Sequence, residues 1–211
     1  MAPVRRIINA QWVTDFLQTV VDQDWNSSTV IVCTTREAFL EQLLATVQLQ
    51  SAEPTRNHQL LTKSLGLLSR SHKVKTIFCP TLGHLRAYLS VGVLSQTSDA
   101  EGHQNSRSLL AILNPLSLHL STREFSAQGL SRTLAIAVEV SHRANMEIML
   151  CECQDALDPA NAERGEALWY MDVPLISNSM RSETEGSSWT GRTVPVKRVV
   201  ERWFYLENST T

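Results

Sequence analysis

Glycine comes late and sparsely in this chain: there are 8 in 211 residues, and the first is Gly66. A nucleoside-triphosphate loop needs a glycine-rich turn after the first strand, so that backbone N–H groups can surround the phosphates, and then a Lys and a hydroxyl for the metal. The turn after the first strand candidate is Asn9 to Gln11, which has neither glycine nor Lys. That excludes the loop and argues against ordinary ATP hydrolysis. Long apolar runs are missing too, so no membrane span is present, and Gln11, Thr14 and Asp15 interrupt any signal core after Met1 to Arg6. The chain reads as soluble and intracellular. Charge of one sign is not in excess: 19 Lys and Arg against 21 Asp and Glu give a net −2. Attraction to nucleic acid or anionic lipid would therefore have to come from a local patch. The 4 cysteines form no CxxC pair, and the 6 histidines are scattered. This fits a reducing compartment better than a disulfide framework, and favours small buried hydrophobes at strand ends over a zinc or thiol site.

The chain is organised around Leu109 to Cys153. Leu109 to Leu113 is a bare apolar run too short for a helix, as expected of a strand covered on both faces, and Asn114 and Pro115 stop it. From Ser126 to Ala144 the spacing of Leu130, Leu134, Ala137 and Val138 makes one helical stripe. Glu139 and Arg143 on the other side are placed for an i,i+4 pair worth roughly 0.3 kcal/mol. A second apolar run, Glu147 to Cys153, completes a parallel βαβ unit.

The same rhythm precedes it. Val4 to Ile8 is a strand candidate, followed by a helix over Ala10 to Val21. Val30 to Cys33 is a strand, and Thr34 with Glu37 reads as the capping box of a helix whose stripe is Phe39, Leu40, Leu43, Leu44 and Val47. A helix aligned on Leu61, Leu65 and Leu68 leads to a strand over Val74 to Cys79. Thr81 caps a helix carrying Leu82, Leu85, Leu89 and Val93. Loops are expected near 95–107, 154–166 and 177–188, a strand over Leu168 to Ile176, and two strands in Thr193 to Leu206, where Val196, Val199, Val200 and Trp203 also suit a helix. The whole describes one α/β domain over 1–211 with an open, mainly parallel sheet, and such sheets bind ligands beyond the carboxyl ends of their strands.

Three candidate sites follow. The central strand ends in Asn114, where a magnesium-dependent ATPase wants a carboxylate. A thiol enzyme could use Cys33, Cys79, Cys151 or Cys153 at strand ends, although Ser117, Ser121 and Ser126 have no nucleophile-elbow glycines, and His119 and His142 read as surface or helix-face residues. Arg181, Arg192, Lys197, Arg198 and Arg202 form the densest basic region, interleaved with Trp189, Trp203, Phe204 and Tyr205. Arg192, Lys197, Arg198 and Arg202 are candidates for DNA phosphates, and Trp189, Trp203, Phe204 and Tyr205 for a partner interface.

The order of pieces resembles the RecA-like recombinase core over residues 4 to 206. "VIVCTTREAFLEQL", "VKTIFCPTLGHLRAYL" and "SLLAILNPLSLHLSTREFSAQGLSRTLAIAVEVSHRANMEIMLCEC" are similar to that family's passage to the metal-binding strand and beyond, and "WTGRTVPVKRVVERWFYLE" to its closing β-rich segment. The resemblance implies a three-layer P-loop NTPase-type fold with helices on both faces of the sheet. Asn114 stands at its metal-binding carboxylate and Asn9 to Gln11 at its phosphate loop, so no catalytic, cofactor-binding or metal-binding residue carries over. Degenerate paralogues of this kind, such as Shu-complex-like subunits, imply a non-catalytic nuclear partner in homologous-recombination repair. That subunit would pair with another RecA-like paralogue and reach DNA through the complex. An ATPase-lacking subunit of a tRNA-modifying, Elongator-like assembly is the alternative within the same class.

Overall fold

The computed structural model describes residues 3–51, 64–92, 107–175 and 192–206. Six strands form one parallel sheet in the order β3-β2-β4-β5-β1-β8: β1 Arg5–Ile7, β2 Ser27–Val32, β3 Val74–Phe78, β4 Ser108–Leu113, β5 Met146–Cys151 and β8 Tyr205–Leu206. The bare run of β4 lies at the centre, and its alternation serves two cores. Leu110 and Ile112 enter one apolar cluster, while Leu109, Ala111 and Leu113 enter the other. In β5, Ile148 and Leu150 face the first cluster and Met149 and Cys151 the second. A strand with no polar face is therefore the direct signature of its position.

Helices α1 (Val13–Asp22) and α2 (Arg36–Gln50) cover one face through Val13, Phe16, Val20 and Phe39. The opposite face carries α4 (Leu82–Ala87), α5 (Pro115–Leu120) and α6 (Ala127–Arg143), which contribute Leu82, Leu85, Leu116, Leu118, Leu130 and Leu134. The chain then adds a 3₁₀ turn, Gly165–Tyr170, a hairpin of β6 (Asp172–Pro174) with β7 (Thr193–Pro195), and α7 (Val196–Val200). These pack Leu168, Trp169, Val173, Val196, Val199 and Val200 onto that same face. Strand order and the helices on both faces make this a three-layer RecA-like α/β fold.

The structure departs from expectation at several points. Thr35, not Thr34, caps α2, its hydroxyl accepting from Ala38 N–H at 3.2 Å. Only part of the expected stripe of α2 is buried: Phe39 is, and Leu43 packs half-buried against the same cluster, but Gln42 and Thr46 are buried beside them and Leu44 is 59% exposed. Thr14 explains part of this, because its hydroxyl donates to Gln50 at 2.7 Å and draws a polar side of α2 onto α1. The strand expected over Leu168 to Ile176 is a 3₁₀ turn followed by the three residues of β6. In the terminal segment both signals are real: β7 and β8 flank α7, whose helical spacing buries Val196, Val199 and Val200. Helix α3 (Leu65–Ser71) has no buried residue and meets α1 through Arg70 and Asp22 at 3.9 Å. Leu61, Val93 and the loops near 95–106 and 177–188 lie outside the described residues.

Helix α6 matches its expected stripe and ends. Ser126 caps it by accepting from Gly129 N–H at 3.1 Å, and Arg143 pairs with Glu139 at 2.8 Å. His119, expected on a surface, is instead buried in a polar knot that ties α5 to α6 and α4. Its Nε2 lies 3.0 Å from the Thr133 hydroxyl, which accepts from Arg86 Nε at 3.0 Å, and Arg86 pairs with Glu124 at 2.7 Å. Glycine at 129 is required by this knot, because a Cβ there would lie 2.1 Å from the Glu124 carbonyl oxygen. Gly129→Ala is therefore expected to destabilise the chain by about 2 kcal/mol or more through overpacking, despite the gain of about 1 kcal/mol in helix propensity. Urea unfolding measures it; a higher midpoint would show that the knot yields.

Candidate functional site

The carboxyl ends of β1, β4 and β5 are stitched together where a nucleotide machine would hold its triphosphate. After β1 the backbone turns at Asn9–Gln11 and enters α1 at Trp12. Ala10 is buried, and its carbonyl accepts from the Cys151 thiol at 3.8 Å. Gln11 is bound twice to Gln154: its carbonyl accepts from Gln154 N–H at 2.9 Å, and its amide donates to the Gln154 side chain at 3.0 Å. The start of α1 is occupied by its own acid, since the Asp15 carboxylate accepts from Trp12 N–H at 3.2 Å and from Gln50 Nε2 at 3.3 Å. A helix N-terminus attracts anions through free N–H groups and a positive dipole end. Here a carboxylate already occupies that end, so these residues do not fit a triphosphate.

The metal-binding position does not fit either. Asn114 ends β4 with φ 59 and ψ 42, a left-handed conformation that Asn tolerates better than most residues. Its Oδ1 accepts from Cys153 N–H at 2.8 Å, and its own N–H donates to the Cys151 carbonyl at 2.8 Å. The amide is thus taken up in bridging two strand ends. Behind it lies Glu152, 2% exposed. Its carboxylate accepts from the N–H of Leu116 and, at 3.4 and 2.8 Å, from the N–H and hydroxyl of Ser117, capping the first turn of α5 from a neighbouring strand. Burial pushes this carboxyl up to about 7, against the downward pull of the Leu116 and Ser117 donors and of Arg164. Sequence reasoning marked the strand end but missed this role, although a Glu directly after an apolar strand is the signal that was available.

All four thiols are free and buried. Burial, with the Glu152 charge behind it, pushes Cys33 well up, and burial alone pushes Cys79 up. Cys153 is raised first by its hydrogen bond with Cys151, 3.6 Å away, and then by burial. Thiolates are the reactive form, and each of these shifts disfavours it. Among the described residues no group of His, Cys, Asp and Glu could hold a metal ion.

The basic and aromatic segment divides when folded. Arg192, Arg198 and Arg202 are exposed, and Lys197 lies half-buried, 5.3 Å above the Tyr170 ring, a contact the sequence did not reveal. Phe204, offered as a partner anchor, is 2% exposed and belongs to this chain's own core, where it lies directly before β8. Trp203 is half-buried against the same core, whereas Tyr205 is exposed on β8. Trp189 and Arg181 lie outside the described residues. Among the described residues no helix is long and apolar enough to cross a membrane.

The chain has a RecA-like α/β fold, and the ends of β1, β4 and β5 are filled by its own side chains. The chain belongs to the SPAC22G7.03-like family, whose model matches residues 6–209. Eleven solved chains match it. One of them, a solved ATPase domain, aligns at 8% identity with a TM-score of 0.41 over 77% of this chain and 62% of that one. This chain thus spans less than two thirds of that structure's length. No curated protein matches.

Glu152 and His119 oppose one another in pH. The carboxyl, at about 7 against an ordinary 4.5, contributes stability that is complete below pH 4.5 and lost as pH rises through 7. Burial lowers His119 from 6.5 to about 4, so its contribution is complete above pH 6.5 and lost as pH falls through 4. Between 4.5 and 6.5 the two slopes cancel. Relative to the native chain, Glu152→Gln should make stability rise across that window by about 1.4 kcal/mol per pH unit, and His119→Gln should make it fall as steeply. Urea midpoints across that range check both; parallel profiles for all three proteins would contradict the assignment. Alkylation at pH 7 should be slow at all four thiols in the folded chain and fast after denaturation. A thiol labelled within the mixing time would restore the thiol-enzyme reading.

Proposed function

We propose that this chain is a non-catalytic RecA-like subunit that pairs with another RecA-like paralogue in the nucleus and assists homologous-recombination DNA repair, supplying surface rather than turnover. The observation that carries this reading is the filling of the phosphate position by Asp15 and by the Gln11–Gln154 pair. A scaffold that commits its nucleotide-binding end to internal contacts retains its outer faces for partners. Arg198 and Arg202 lie one turn apart and, with Arg192, make no ion pair with a described residue. With Lys197 they supply cations for DNA phosphates.

The test is affinity purification from cells, with identification of the bound chains, followed by DNA binding of the recovered complex. The expected partner is a RecA-like chain with intact nucleotide motifs. Replacing Arg192, Lys197, Arg198 and Arg202 by Glu should weaken DNA binding by the complex and flatten its salt dependence, by up to about 0.9 in log–log slope for each phosphate that is no longer neutralised. Recovery of a tRNA-modifying assembly, or nucleotide turnover by the isolated chain, would overturn the proposal.

A further inference from the structure

Among the described residues, one edge of the sheet is unpaired along its whole length. Strand β3 pairs with β2 on its inner side, Ser28 N–H donating to the Lys73 carbonyl and Cys79 N–H to the Val32 carbonyl, with Ser28 in register with Val74 and Val32 with Phe78. In a parallel ladder the bonding residues alternate. Lys75 and Ile77 therefore turn their backbone groups inward, and Val74, Thr76 and Phe78 turn theirs out. No described residue pairs with that outer row. Natural edges are usually blunted by several charges, a proline or a bulge. This one carries a single Lys75, with Lys75 and Thr76 exposed and Val74, Ile77 and Phe78 only half-buried. Before it in the chain, α3 presents Leu65, 86% exposed, and Leu68, also exposed.

The stretch of sequence that carries this edge is basic. From Pro54 to Ser98 the chain contains no Asp or Glu, against Arg56, Lys63, Arg70, Lys73, Lys75 and Arg86. Arg86 is committed to Glu124. Arg70 and Lys73 approach the exposed Asp22 and Asp24 at 3.9 and 3.7 Å, contacts of the kind that contribute little in water. Lys75 has no ion pair with any described residue. We propose that the outer edge of β3 receives an extended, acidic segment of a partner protein as a further strand of the sheet. This rests on the partner-protein reading above and names the surface on which the partner docks. The free backbone row supplies affinity without regard to sequence. Lys75, on the same face as Ile77, selects an acid, while Val74 and Phe78 offer apolar contact on the other face. A row of backbone donors and acceptors at strand spacing fits a polypeptide better than a phosphate chain, which would find one free lysine on the strand.

The probe is a short, end-capped peptide of alternating Val and Glu, compared with its Val and Lys counterpart, by fluorescence anisotropy and amide exchange on the full chain. The acidic peptide should bind and slow exchange at Val74, Thr76 and Phe78. Lys75→Glu should shift the preference at least tenfold toward the basic peptide. Thr76→Pro should abolish binding, since its N–H points outward and its loss spares the ladder to β2; an unchanged urea midpoint shows that the fold is kept, and Lys75→Glu serves if it is not. Equal binding of both peptides, no binding of either, or no protection of the three amides would overturn the inference. So would Lys75-dependent capture of a single-stranded oligonucleotide in place of the peptide. Should the native chain still recover its partner from cells in those cases, only this docking surface fails. Should no partner be recovered, the reading above fails by itself.

Discussion

A buried carboxylate sets the arrangement of this protein's functional end. Glu152 has left water entirely, and its position is tolerated because three donors from Leu116 and Ser117 converge on it. Charge-assisted bonds of this kind contribute roughly 1.5–3 kcal/mol each, enough to oppose the desolvation of one carboxyl though not to overcome it, as the upward shift records. The geometry constrains the chain elsewhere: α5 must start directly after β4, so Asn114 adopts a left-handed conformation and Pro115 fills the first helical position. The Asn114 side chain then crosses to Cys153, and the ends of β4 and β5 become one hydrogen-bonded unit.

That unit governs what the surrounding groups can do. Cys151 and Cys153 are enclosed between it and the turn at Asn9–Gln11, so their thiols bond to each other and to Ala10. Cys33 feels the Glu152 charge across the sheet and is raised by it as well as by burial. Phosphate chemistry needs unpaired N–H groups and positive charge at this end. The chain presents instead two carboxylates, an amide committed to Cys153 and four buried thiols. Among the described residues, what the fold leaves open lies at its margins: the outer edge of β3 and the basic surface of α7.

Much of the fold was legible in the amino-acid order because burial on both faces imposes a local signal. Leu109–Leu113 and Ile148–Cys151 show no polar alternation, and only a covered central strand permits that. Capping was legible at Thr81, where a hydroxyl satisfies a helix N–H three residues on. It misled at Thr34, because two adjacent threonines offer the same chemistry and the turn after Cys33 selects the second. The stripe of α2 misled in part for a different reason: periodicity reports a face that could be buried, whereas Gln42 and Thr46 are buried here and Leu44 is exposed.

The candidate site divides along the same line. The order of residues by itself determined that no phosphate loop could form, that β4 would end in an amide, and that cations and aromatics would crowd the last segment, since each is a statement about composition at one place in the chain. Only the tertiary structure decided that Glu152 would cap α5, that His119 would be buried against Thr133, that Phe204 would turn inward and Arg198 outward, and that β3 would stand at an edge. Those outcomes join residues from different strands and helices, and solvation of a side chain depends on what the fold brings against it rather than on its neighbours in sequence.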